Sequence, residues 1–164
     1  MIRKQISVQR LSATSVKSFK EVVATLEAAI GHPDMNVFRS EIRAAKTYAE
    51  VEEIVSKAIG TSGLMEFARF DLGEILQKEQ GEKAPRIVRL VVGNPLIMRL
   101  MVKQIADAGS YAPVTILIDE RPDGVHLSYD TMASYLASYG SPEALKVAQD
   151  LDSKVGALVA AVAN

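Results

Sequence analysis

The chain has 164 residues, with 19 Lys plus Arg against 20 Asp plus Glu, a formal net charge of -1, 48% hydrophobic residues and no cysteine. This length suits one domain that buries roughly 68–70% of the surface its unfolded chain exposes, without a disulfide or structural metal. Balanced charge argues against a dedicated nucleic-acid binder, and zero cysteine excludes a thiol nucleophile, a disulfide framework and thiolate-held metal centres. Met1–Ser12 lacks the apolar run of a secretory signal. The most apolar stretch, Val155–Ala163, falls far short of the ~20 residues that span a bilayer. The expectation is a cytoplasmic protein with no membrane or nucleic-acid partner, organised as a single domain over residues 1–164.

In chain order, partial alternation of Ile6 and Val8 with Ser7 and Gln9 predicts a strand over residues 5–11. Thr14 and Ser15 offer an N-cap, and Val16, Phe19, Val22, Val23, Leu26 and Ile30 follow at helical spacing. Gly31–His32–Pro33 stops that helix. Phe38, Ile42 and Ala45 share one face of a short helix, and Thr47 with Glu50 forms a capping box for a stronger one ending at Gly60. Residues 33–62 thus read as a helical insertion. Residues 64–70 read as a strand and Leu72–Gln80 as a short helix.

Arg86–Val92 is rich in β-branched residues on both faces, the pattern of a central strand. Gly93–Asn94–Pro95 then supplies a turn, an N-cap and a first helical residue, opening a helix expected to reach about Ala108. Pro113–Ile118 and Val125–Tyr129 read as a hairpin joined by the polar loop Asp119–Gly124. A short helix over Thr131–Ser138 and a long one capped by Ser141–Pro142 complete the chain. The late hairpin argues for an α+β domain with a largely antiparallel sheet and helices packed on it.

Over residues 64–140 this pattern resembles the domain-of-unknown-function family 302. The matching features are an aromatic-rich strand ending in Asp71, the Gly93–Asn94–Pro95 turn and its helix, Pro113 opening a strand, Asp123–Gly124 in a hairpin, and Tyr129 ending the returning strand. The resemblance implies a TATA-box-binding-protein-like α+β topology and a homodimer, but not DNA binding, because topology alone carries no function. Family members commonly carry Asp-His at the end of the second strand, where this chain has Asp71–Leu72.

Candidate chemistry is sparse. The helix start at Asn94 is suited to an anion, although capping alone explains its residues. Lys83, Arg86, Arg89, Arg99 and Lys103 form a basic stretch, but Arg86 and Arg89 lie three apart on a strand and point to opposite faces. His32 and His126 have no partner at metal-ligand spacing. His126, Ser128 and Asp130 share one strand face, without the nucleophile elbow of a Ser hydrolase. Asp119, Glu120 and Asp123 read as a solvated hairpin tip. Tyr135 and Tyr139, four apart, suit a pocket wall or an interface.

The reading is a homodimeric small-ligand-binding or interaction module without catalysis or cofactor. Its ligand would be a small amphipathic or anionic molecule held by Asp71, Asn94, Arg99, His126, Tyr129 and Tyr135, in a cleft between sheet and helices. The alternative is an enzyme with Asp71 or His126 as general base.

Overall fold

The computed structural model describes residue 1, residues 3–81 and residues 83–164. Five strands form one antiparallel sheet: β1 (Arg10–Ser15), β2 (Met65–Asp71), β3 (Ile87–Gly93), β4 (Val114–Arg121) and β5 (Gly124–Asp130), in spatial order β1-β5-β4-β3-β2. Seven α-helices accompany them among the described residues: α1 (Phe19–Ala29), α2 (Met35–Ala44), α3 (Tyr48–Ala58), α4 (Gly73–Gln80), α5 (Pro95–Val102), α6 (Met132–Leu136) and α7 (Pro142–Ala163). The fold is therefore α+β. No helix among the described residues is long and apolar enough to cross a membrane.

One side of the sheet carries the core. Val88, Leu90 and Val92 of β3, Val114, Ile116 and Ile118 of β4, and Val125, Leu127 and Tyr129 of β5 are all buried against α1, α5, α6 and α7. These residues alternate strictly, so the intervening ones stand on the opposite face. A second, smaller cluster gathers Phe38 of α2, Val55 of α3 and Met65 of β2, with Phe67 and Leu96 packed beside them.

The local start signals behave as their chemistry requires. Ser18, Thr47 and Ser141 cap α1, α3 and α7, and the first two form reciprocal capping boxes with Glu21 and Glu50. Asn94 accepts from Leu96 N at 2.8 Å, with Pro95 in the first turn of α5.

Four expectations shift. The first strand lies at 10–15 rather than 5–11, because RLSATS pairs with β5 while the more apolar-looking Ile6–Val8 does not. Consequently α1 begins after Ser18, not at Ser15. The helix after Asn94 ends at Val102, and a separate 3-10 turn covers Ala106–Ser110. The hairpin loop is also shorter, since Asp119, Glu120 and Arg121 belong to β4 and Gly124 to β5.

Two contacts fix how the helices meet the sheet. The Asp152 carboxylate on α7 accepts from the Tyr129 hydroxyl at 2.5 Å and from the backbone N–H groups of Met132 and Ala133 at 2.7 and 2.9 Å. One side chain thereby caps α6 and joins it to β5 and α7. Burial, then the bond to Asp152, pushes the Tyr129 phenol far above its ordinary pKa. At the other end, Gly31 and Gly60 cross so closely that a Cβ on Gly31 would stand 1.9 Å from Ala58 O, and one on Gly60 2.5 Å from Ala29 O.

Asp152→Ala removes the acceptor that three donors share, leaving Met132 N only the Tyr129 hydroxyl at 3.3 Å, and is expected to lower unfolding free energy by about 1–3 kcal/mol, read by urea denaturation. Gly60→Ala drives a methyl group into backbone and is expected to cost about 1–3 kcal/mol or more in the same assay. An unchanged midpoint for either variant contradicts the contact assigned to it.

Candidate functional site

The face of the sheet opposite the helices is built from the alternate residues. Register places one row across it: Phe70 beside Arg89, Arg89 beside Leu117, Leu117 beside Ser128, and Ser128 beside Ser12. Next to this row Arg10 of β1 stands opposite Asp130 of β5. Their contact is bidentate, with Nε to Oδ1 at 2.6 Å and Nη2 to Oδ2 at 2.8 Å.

Where β4 begins and β5 ends, this face sinks into a hollow of about 340 Å³. Arg10, Arg89, Thr115, Leu117, Ser128 and Asp130 form its floor. Tyr111 and Tyr135 form its wall, stacked with centroids 4.6 Å apart and an interplanar angle of 11°. Tyr139 meets Tyr111 edge-on and shares a hydroxyl–hydroxyl bond of 2.9 Å with it. Burial and the nearby Asp130 charge push the Tyr135 phenol upward, and the bond to Tyr111 raises that of Tyr139.

Charge in the hollow is unbalanced. Arg10 is satisfied by Asp130, whose carboxyl is held below the ordinary aspartate range, first by the hydrogen bond from Arg10. Arg89 has no carboxylate partner among the described residues. Its Nη2 reaches only the Thr115 hydroxyl at 3.4 Å, and its guanidinium lies 5.7 Å from the Phe70 ring centroid. A forked cation beside hydroxyls and an apolar wall is equipped to receive a carboxylate or a similar oxyanion.

A family model for the domain of unknown function DUF302 matches residues 40–162. The chain belongs to this family. The match begins inside the segment read as an insertion and continues through α7, beyond the 64–140 span that carried the resemblance. The chain is also similar to the crystal structure of an uncharacterized conserved DUF302 protein from Bacillus stearothermophilus, at 12% identity, covering 94% of this chain and 98% of that one, with a TM-score of 0.65. That likeness concerns the fold alone. No protein of curated function matches the sequence.

The six residues singled out from the sequence are dispersed. Only Tyr135 lines the hollow. Tyr129 is buried on the helix-covered face, bound to Asp152. Asp71 ends β2 and accepts from Glu74 N at 3.1 Å in the first turn of α4. Asn94 caps α5, donates to Gly63 O at 2.9 Å, and borders a separate apolar recess of only about 80 Å³. Arg99 lies 4.4 Å from the Tyr48 ring centroid, joining α5 to α3. His126 does share the open face with Ser128 and Asp130, but its ring bonds Asp123 at 2.9 Å and lies 3.5 Å from the Thr14 hydroxyl.

Arg10, Thr115 and Tyr111 escaped the sequence reading. The legible signal for Arg10 was the alternation Arg10–Ser12–Thr14 against Leu11–Ala13–Ser15, which the misplaced first strand hid. Arg86 does stand away from Arg89, as strand parity required: it pairs with Glu120 at 2.8 Å and lies over Phe19 of α1.

For Asp130, the depressed folded-state pKa means that its contribution to stability is complete above the unfolded value and lost as pH falls through the folded value. An NMR titration of the carboxyl is expected to place the Asp130 midpoint below that of a free aspartate. Arg10→Gln should move the midpoint upward; no movement contradicts the pairing. The pair is partly exposed, so its loss is expected to cost no more than about 1 kcal/mol.

Proposed function

We propose that this domain binds a small organic anion in the hollow of its open sheet face, with Arg89 as the anchoring cation, and performs no chemistry on it. The observation that carries this reading is a guanidinium that has no carboxylate partner among the described residues, set in a concavity between hydroxyls and stacked tyrosines. A volume of about 340 Å³ lies within the range of small-molecule sites. Catalysis is less well supported, because Asp71 is engaged at the start of α4 and His126 by Asp123.

A melting-temperature screen against small carboxylates and their neutral amide counterparts tests the proposal, since a ligand of the folded state raises the midpoint. Carboxylates are expected to stabilise and the amides are not. Arg89→Gln removes one charge-assisted contact and should weaken binding roughly 10- to 100-fold. Equal stabilisation of wild type and Arg89→Gln sinks the assignment.

A second reading, assembly with another copy of the chain, is favoured by the edge strand β2 and α4. There Phe70, Leu72 and Ile75 are 47%, 39% and 71% exposed, an apolar grouping at the rim of the sheet. Sedimentation is expected to show a dimer that Ile75→Glu dissociates. A monomer at all concentrations removes this reading.

A further inference from the structure

We infer that the hollow selects singly charged amphipathic anions, such as monocarboxylates with a flat apolar body, over dianions such as phosphate monoesters, and that Asp130 sets this selection. The inference rests on the binding reading above and specifies the class of ligand.

Among the described residues, three formal charges line the hollow: Arg10, Arg89 and Asp130. They sum to +1, enough to neutralise one negative charge. Asp130 consumes the Nε and Nη2 edge of Arg10 through its two short contacts, so Arg10 has its best carboxylate-binding geometry already occupied. Arg89 remains, reaching the Thr115 hydroxyl on the adjacent strand. A ligand oxyanion on Arg89 meets hydroxyls rather than a second uncommitted cation. Asp130 is a fixed anion in the same concavity, and any further negative charge on the ligand is repelled by it.

The rest of the lining fits the remainder of such a molecule. Leu117 lies directly beside Arg89 on the neighbouring strand, at the ~4.8 Å spacing of a sheet. Pro113 and the Tyr111 and Tyr135 rings stand above this floor. A carboxylate on Arg89 thus projects its body over a leucine towards aromatic surface, which rewards apolar and planar groups.

Calorimetric titration at pH 7.5 and low salt, with benzoate, phenyl phosphate and benzamide as probes, tests the selection. Phenyl phosphate is mostly a dianion there, because the second ionisation of a phosphate monoester lies near pH ~6. Benzoate is expected to bind roughly tenfold tighter than phenyl phosphate, with benzamide weakest. Asp130→Asn raises the hollow to +2 and should improve phenyl phosphate relative to benzoate by roughly tenfold.

The wild-type ratio requires no variant, so a misfolded Asp130→Asn leaves the proposal open to test. Phenyl phosphate binding as well as benzoate, both through Arg89, overturns the charge selection while leaving the binding site intact. A well-folded Asp130→Asn with an unchanged ratio overturns the role of Asp130. Failure of all three probes to give heat or shift resonances of Thr115, Leu117 and Ser128 overturns the selection and the binding reading together.

Discussion

Register between β1 and β5 is the constraint on which the open face depends. Arg10 meets Asp130 because every pair along the ladder, down to Ser15 opposite Val125, is fixed in the same frame. Gly124 helps to hold that frame. It has φ +138, and a Cβ there would lie 2.6 Å from Ser15 O, so the β4–β5 turn approaches the end of β1 as only glycine allows. A slip of one residue would carry Arg10 to the helix-covered side and bring Leu11 out. The hollow is thus a product of pairing geometry, with its polar floor assembled from four different strands.

The same alternation separates two populations of polar groups. Tyr129 lies under the helices and meets Asp152 on α7, tying β5 to α6 and α7 through one carboxylate with three donors. The groups form a closed network, since Met132 N also lies 3.3 Å from the Tyr129 hydroxyl, and such networks hold their members in place. Residues just across the sheet, Ser128 and Asp130, face outward into a concavity that admits a guest. Adjacent residues on one strand therefore have opposite assignments, and neither can be judged by proximity in sequence.

Much of the scaffold was legible, because its signals were local. The β3–Gly93–Asn94–Pro95–α5 unit, the Thr47–Glu50 box and the Ser141 cap are stereochemical statements that a few consecutive residues make alone. The first strand was misplaced because RLSATS is an edge strand with one polar face, whereas Ile6 and Val8 display alternation without a partner. The open-face residues suffered from the same cause. Arg89 stood out as basic, and Ser128 and Asp130 as one strand face, but only the β3–β4 and β4–β5 pairings bring them within one hollow. Tyr135 was found because aromatics at helical spacing are visible, while its stacking partner Tyr111 lies beyond any periodic relation. Asn94, Arg99 and Asp71 were recognised by chemical type, which cannot reveal that Asn94 and Asp71 are engaged at the starts of α5 and α4 and Arg99 against Tyr48 of α3.

The crossing of Gly31 with Gly60 has a topological meaning. Leu64 O accepts from both glycine N–H groups at 2.9 Å, and Ser62 N donates to Ala29 O at 2.9 Å. The chain leaves the sheet layer and returns to it at a single knot of main-chain hydrogen bonds, with α2 and α3 held in the loop between. Because its two ends are fastened to each other, a change of length in the turn inside the excursion is not transmitted to its attachment at β2. Changing the length of a flexible closed loop costs little, the penalty growing only logarithmically. The pair itself is tied down, since Phe38 and Val55 bury Met65 of β2, so the freedom lies in the turn that joins α2 to α3, where the chain can lengthen while the knot and the open face stay as they stand.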